Sequence, residues 1–280
     1  MHRITTFLIL AAAAVAASPA AANDGAQPRA TTGDPTATLR PLPPVPRPES
    51  QVTLYSGYYS ASDGFTDRFF AGGFLDRYFG STGVHADVVY VNREENAAYG
   101  ALGLSQRING LGRLKLMAGT STGNRSILPK LSLHAGLELS LTKDTIVRPS
   151  VTYRRFRNDR SHIAPEVQIA HYFGGNAAGY YVAQVDAGLS LTNTDNTGWS
   201  LGGGLTNVRK DGLRLGLAGR SGRMAYDSLL GSEIDSRFYG GGPNVGYRFL
   251  GGQEIFVRGD VTRNKFYTVT GAFIGFKTAL

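Results

Sequence analysis

The sequence predicts an all-β fold: a transmembrane, antiparallel up-and-down β-barrel of about 14 strands, with 12 and 16 as the neighbouring even counts. Three observations carry this. Apolar and polar residues alternate with period two along residues 51–280. The connections between those runs alternate between tight turns and longer polar loops. An export signal precedes them.

Residues 1–22 read as a secretory signal peptide: Arg3, an apolar run from Ile4, and Ala20-Ala21-Ala22 as an A-x-A site. The run is short and alanine-rich for a spanning helix, so cleavage is favoured over a retained anchor. Residues 23–50 hold seven of the 12 prolines and show no apolar periodicity. They read as a Pro-rich disordered periplasmic linker, with "RPLPPVPRPES" in extended polyproline II. A spacer is the plain role and a tether to a periplasmic partner the sharper one. The chain has no Cys, which excludes a lipid-anchored cysteine and disulfide staples. Removing Arg3 with the signal lowers the net charge from +8 to +7. For an exported chain that charge points to anionic lipid or polysaccharide and away from nucleic acid.

The barrel is expected over 51–280. Its alternating runs are 51–60, 66–79, 83–92, 97–108, 112–121, 130–141, 145–157, 162–173, 179–192, 197–208, 212–225, 236–249, 253–263 and 266–278. Each is long enough to cross a bilayer as a tilted strand. The stretch "KLSLHAGLELSL" 130–141 shows the pattern most clearly: Leu131, Leu133, Ala135, Leu137, Leu139 and Leu141 on one face, Ser132, His134, Gly136, Glu138 and Ser140 on the other. "GSTG" 80–83, "NGLG" 109–112, "TKDT" 142–145, "GGNAAG" 174–179, "RKDG" 209–212 and "LGGQ" 250–253 read as hairpin turns. "ASDGFT" 61–66, "STGNRSILPK" 121–130, "RNDRSH" 157–162, "NTDNTG" 193–198 and "YDSLLGSEIDSR" 226–237 read as loops. Short turns belong on the periplasmic rim, which with an even strand count leaves both termini periplasmic.

Alternation also fits a soluble sandwich with its apolar face inward. Aromatic clustering at strand ends favours the membrane. One expected girdle holds Tyr58, Tyr59, Phe69, Phe70, Tyr99, Tyr153, Phe156, Trp199, Phe238, Tyr239, Phe266 and Tyr267 at the loop rim. The other holds Tyr78, Phe79, Tyr172, Phe173, Tyr180, Tyr181, Tyr247 and Phe249 at the turn rim. The leucine faces then meet lipid. The lumen-lining candidates are Asp87, Arg113, Lys115, His134, Glu138, Arg148, Arg154, Glu166, Asp186, Arg214, Arg220, Glu254, Arg258 and Asp260. A salt-bridged, largely filled interior and a wet channel both fit them. Gly271, Ile274 and Phe276 in the last run partly match a signal for the barrel-assembly machinery.

The loop rim is rich in arginine, densest in "YRRFRNDR" 153–160, which makes Arg155, Arg157 and Arg160 candidates for lipopolysaccharide phosphate contact. An acidic glycan on its way out is the alternative ligand. No nucleophile–base–orienter set emerges; His162 near Asp159 and Ser161 is the nearest approach, and His85 shares a face with Asp87. No metal-ligand spacing occurs and no cofactor is expected.

In "SVTYRRF" 150–156, "GWSLGGGLTN" 198–207 and "VGYRFLGGQE" 245–254, with the strand layout, residues 51–280 resemble the YaiO family of outer-membrane β-barrels. The resemblance implies an outer-membrane location and carries no catalytic residues over. Some related barrels accompany surface polysaccharide secretion, which by analogy brings in secretion partners. The leading expectation is therefore a passive channel for polar solutes or exported polysaccharide. A closed structural or surface-interaction barrel and a lipid A-modifying enzyme are the other two classes.

Overall fold

The computed structural model describes residues 50–280, except 63–66, 93–95, 109–111, 123–127, 158–159, 177, 195, 228–232 and 250. The expected signal peptide and linker lie outside the described residues. The strands are β1 (Gln51–Ala61), β2 (Arg68–Phe79), β3 (Thr82–Asn92), β4 (Ala97–Ile108), β5 (Gly112–Ser121), β6 (Leu131–Thr142) and β7 (Thr145–Arg155). They continue as β8 (Ser161–Phe173), β9 (Gly179–Thr192), β10 (Thr197–Arg209), β11 (Leu213–Asp227), β12 (Glu233–Arg248), β13 (Glu254–Asn264) and β14 (Thr268–Ala279).

Each strand pairs antiparallel with its chain neighbours, and β1 pairs with β14, so the 14 strands form one closed barrel. The seam is complete: every residue of β1, from Gln51 opposite Ala279 to Ala61 opposite Val269, has a partner. Closure satisfies the backbone groups that an open edge would leave bare in hydrocarbon. Fourteen strands spaced about 4.8 Å apart and tilted about 40° enclose a backbone cylinder roughly 27 Å across.

The local reasons are those of up-and-down hairpins. Gly80 and Ser81 form a two-residue turn between Phe79 and Thr82, with Gly80 at φ +61°, a conformation in which a side chain is strained. Both strand termini, Gln51 and Ala279, lie on this same rim, where the Leu280 amide donates to the Ser50 carbonyl at 2.8 Å. Two boundaries differ from the periodicity. The run 145–157 ends as a strand at Arg155, because the Phe156 amide turns to the Arg160 carbonyl at 2.8 Å. The span 226–237, expected as loop, is partly ladder: β11 and β12 stay in register up to Asp227 opposite Glu233.

Parity decides what faces out. Leu54, Val88, Leu102, Leu104, Leu141, Leu201 and Leu217 are all more than half exposed, an apolar exterior that only a membrane accommodates. Ile274 and Phe276 of the last strand join this face. The expected girdles are half right. Tyr58, Phe69, Trp199, Tyr239 and Phe266 face outward at the loop rim; Phe79, Phe173, Tyr181, Tyr247 and Phe249 do so at the turn rim. Tyr59, Phe70, Phe156 and Tyr267 are buried, and Tyr78, Tyr99, Tyr172, Tyr180 and Phe238 share the inward face. Adjacent aromatics in a strand point to opposite faces, so a Tyr-Tyr or Phe-Phe pair sends only one ring to lipid.

The inward rings lie on glycines. Tyr59 covers Gly271 of β14, Tyr55 covers Gly72 of β2, and Phe70 covers Gly57 of β1. A Cβ at Gly57 would stand 2.5 Å from Phe70 Cζ, and one at Gly72 would stand 2.7 Å from the Tyr55 hydroxyl. The missing side chain makes the seat for the ring, which keeps these rings against the wall. With Phe156, Leu128 and Val91 they form one apolar cluster near the loop end of β1–β4 and β14. Gly271→Val is expected to unseat Tyr59 and cost about 1–3 kcal/mol, read by urea unfolding of the vesicle-inserted barrel. Gly251→Ala, where a Cβ meets nothing within 4 Å, is expected to change stability by less than about 0.5 kcal/mol.

Candidate functional site: the charged interior wall

The interior divides into two walls. Aromatic rings, with charges such as Arg68, Asp87, Arg258 and Asp260 among them, occupy β13–β14 and β1–β4; a continuous row of charges climbs the wall from β5 to β11. The climb follows the hydrogen-bond register. Arg113 stands opposite Glu138, Arg148 opposite Gln168, Gln168 opposite Asp186, Asp186 opposite Gly202, and Gly202 opposite Arg220. Glu138 accepts from Arg148 Nε at 2.8 Å, and Arg148 Nη1 donates to Gln168 Oε1 at 3.1 Å. At the foot, Arg113 donates to Ser105 Oγ at 3.1 Å and lies 4.7 Å from the centroid of the Tyr78 ring. Alternating signs along one row let each charge meet its opposite without crossing the lumen.

Two ion pairs reach over a whole strand, and a glycine makes each possible. Arg220 of β11 approaches Asp186 of β9 at 3.3 Å and Glu166 of β8 at 3.8 Å. Gly202 lies between them on β10; a Cβ there would stand 2.6 Å from the Asp186 carboxylate. Arg214 of β11 donates to both oxygens of Glu254 on β13 at 2.9 and 3.1 Å, across Gly246 of β12. Arg248 adds a third cationic contact to Glu254 at 3.5 Å. The Arg214 and Glu254 side chains are 9% and 6% exposed, so this pair is desolvated and doubly bonded, the geometry an internal ion pair requires.

All fourteen residues proposed from sequence to face inward lie on the register face opposite the exposed leucines. They do not form one cluster. His134 meets Thr152 Oγ1 at 3.0 Å. Arg258 lies 4.0 Å from Asp260, which also accepts from Thr262 at 3.2 Å. Arg154 stands between Ser132 and His162 in the ladder, and Lys115 between Ser105 and Gly136. Asp87 does not pair with His85: the His85 Nδ1 meets Asp76 at 2.5 Å, with Tyr78 edge-on to its ring. Asp76 is not among the inward candidates from sequence; parity anchored on Leu75 and Phe79, the apolar residues of the opposite face, places it inward.

His162 also has a different partner from the one expected. Its Nε2 meets Ser190 Oγ of β9 at 2.7 Å, while Ser161 is on the other face and Asp159 lies outside the described residues. This contact holds a hydroxyl and a base. The His162 Nδ1, where an orienting group would act, has no hydrogen-bond partner among the described residues. His171 faces outward and meets Thr145 Oγ1 at 3.0 Å. No group of three or more His, Cys, Asp or Glu side chains able to hold a metal ion occurs among the described residues.

At the loop rim the three proposed phosphate-contact arginines diverge. Arg155 faces outward and is exposed. Arg157 Nη2 instead donates to the Ser121 carbonyl at 2.8 Å, tying the β7–β8 connection to β5. Arg160 is only partly exposed, and its carbonyl accepts from Phe156. Elsewhere on the rim the Tyr58 hydroxyl donates to Asp67, which holds that exposed carboxyl below its ordinary range.

Comparisons with known proteins bear on the fold. No family model matches the chain, and no curated protein matches it. Among solved structures it is similar to the outer membrane protein Omp33 of Acinetobacter baumannii, with 12% identity and a TM-score of 0.50 over 83% of this chain and 99% of that one. It is also similar to a bacterial polysaccharide outer membrane secretin, with 6% identity and a TM-score of 0.54 over 83% of this chain and 98% of that one. At these identities the likeness is one of fold: a closed, antiparallel outer-membrane-type barrel.

The wall makes a graded prediction. Glu254→Ala strands Arg214 and Arg248 and is expected to cost about 3–5 kcal/mol. Glu138→Ala, whose carboxylate side chain is 41% exposed, is expected to cost less than about 1 kcal/mol. Urea unfolding in vesicles, followed through Trp199, compares them.

Proposed function

We propose that the chain is an outer-membrane channel that passes polar solutes or an exported polysaccharide by passive flow, with both termini in the periplasm. The observation that carries this reading is the charged wall: a row of mixed sign over half the circumference of a 14-stranded barrel. Side chains fill an eight-stranded barrel, whereas fourteen strands leave more room between the walls. A row of paired charges offers a hydrated solute successive hydrogen-bonding partners, and no single one binds it tightly. The location is supported by the apolar exterior between two aromatic bands and by the likeness of fold to outer-membrane barrels. The periplasmic termini are supported by both strand ends sharing a rim with the short turns. The resemblance to the YaiO family rests on sequence motifs, and the polysaccharide cargo on analogy to one structural neighbour, the bacterial polysaccharide outer membrane secretin.

A second reading, a closed surface-interaction barrel, draws on a different observation. Leu128 and Phe156, both just outside the strands, are buried in the aromatic cluster at the loop end. On that reading the rim contacts lipopolysaccharide or a partner. The enzyme reading has the Ser190–His162 contact as its support and no orienting group among the described residues.

Single-channel recording of the folded chain in a planar bilayer separates the first two. Steady conductance is expected. Arginine and lysine outnumber aspartate and glutamate on the inward face, so a modest preference for anions is expected, and Arg220→Glu is expected to shift it toward cations. A barrel that shows heat-modifiable gel mobility yet passes no current would favour the closed reading.

A further inference from the structure

The turn rim carries a cleft of about 560 Å³ between two hairpin turns. Asn176 and Gly179 line it from the β8–β9 turn, and Arg209, Lys210 and Asp211 from the β10–β11 turn. The turns are tied together, because the Lys210 amide donates to the Ala178 carbonyl at 3.0 Å. Arg209 stands opposite Gly179 in the ladder, so no side chain lies directly across from its guanidinium stem. Tyr181 and Asn207, also opposite one another, line the cleft on its membrane side.

The cleft is richer in donors than in acceptors. Asp211 is the one carboxylate among its lining residues, and both oxygens are engaged: Oδ2 by Arg209 Nη2 at 2.6 Å and Oδ1 by the Leu213 amide at 3.1 Å. Asn176 Oδ1 accepts from the Ala178 and Gly179 amides at 2.8 and 3.2 Å, which leaves its side-chain NH2 to donate elsewhere. The Lys210 ammonium, the Asn207 side chain and the Tyr181 hydroxyl make no hydrogen bond or ion pair among the described residues. Two cations against one carboxylate give the cleft a net charge of +1. Toward the membrane centre it meets hydrocarbon. Tyr181 stacks on Phe173 with centroids 5.6 Å apart, an outward ring pair at the interface. Asn207 stands opposite Leu215, and the next outward row holds Ala183, Leu205 and Leu217. All three leucines are exposed. From rim to midplane the surface therefore reads charge, interfacial ring and aliphatic wall.

We propose that this cleft holds the head group of an anionic phospholipid of the inner leaflet, phosphatidylglycerol. Its phosphodiester meets Lys210 and Arg209, its glycerol hydroxyls meet Asn176 and Asn207, and its acyl chains lie on Leu205, Leu215 and Leu217. The single negative charge of that lipid balances the single excess positive charge of the cleft, and each ammonium or guanidinium bond to phosphate is charge-assisted. Phosphatidylethanolamine would bring an ammonium to a cleft whose carboxylate is already engaged. Inorganic phosphate shares the anion chemistry and gains nothing from the leucines. The inner leaflet follows from the turn rim being periplasmic, so the inference rests on that part of the proposed function and is independent of whether the lumen conducts.

The test is lipid retention by the folded full-length chain in detergent, read by native mass spectrometry with phosphatidylglycerol and phosphatidylethanolamine added at equal concentration. No membrane orientation or current enters that measurement, so its failure and the failure of the channel reading are separate results. The wild type is expected to retain about fivefold more phosphatidylglycerol than phosphatidylethanolamine. Lys210→Glu is expected to lower phosphatidylglycerol retention about tenfold. Lys143→Glu, the same charge change in the β6–β7 turn, is expected to stay within about twofold. Gel mobility before and after heating confirms folding of each variant. Undiminished retention by Lys210→Glu, an equal loss in Lys143→Glu, or equal retention of the two lipids by the wild type would overturn the site. Displacement by inorganic phosphate at matched concentration would overturn the lipid and leave a generic anion cleft.

Discussion

Everything in this molecule follows from the requirement that each backbone amide and carbonyl crossing the membrane find a partner within the chain. The seam between β1 and β14 meets it. Once the sheet is closed, every side chain has one of two addresses, decided by whether its number is odd or even within its strand. An apolar residue pointing out costs nothing in lipid. A charge pointing in must be answered by another. The exterior leucines and the interior ion pairs are two results of one closure.

The interior shows how such answers are found when neighbours are fixed. A strand places its side chains at set intervals, so an arginine cannot choose its height. Glu138, Arg148, Gln168 and Asp186 meet because the register delivers them side by side. Where it delivers a glycine, a longer side chain passes over to the next strand, as Arg220 and Arg214 do. Glycine serves the aromatic wall too, as a seat for Tyr59, Tyr55 and Phe70. The chain's 37 glycines are thus more than turn residues; inside the barrel they are the room that large side chains need.

Much of this was legible in the sequence, and the limits have physical causes. Strict alternation in residues such as Leu131–Leu141 identifies a strand and its two faces without any partner. Turn chemistry at Gly80 and Gly212 identifies the hairpins. Alternation does not say which ring of Tyr58-Tyr59 or Phe69-Phe70 meets lipid, and reading both as girdle residues overcounts it. Pairings beyond the nearest strand are invisible in sequence, because they depend on the lateral offset of hairpins that no local signal encodes. Arg214 with Glu254 and Arg220 with Asp186 belong to this class; Asp76 with His85 and Ser190 with His162 join neighbouring strands, where the register alone decides the partner. The arginines of 153–160 illustrate a further limit: density along the chain is not density in space, since Arg157 turns back to the Ser121 carbonyl.

The two ion pairs that step over a glycine share β11. Asp186 ties it back to β9, and Glu254 ties it forward to β13. Neither bond can exist within a single hairpin, and each joins one hairpin to the next. An assembling chain that slipped β11 by one residue would turn both arginines toward lipid at once, and a slip of two would carry both past their carboxylates. Both contacts are thus made only when β11 stands in its native register with β10 and β12 together.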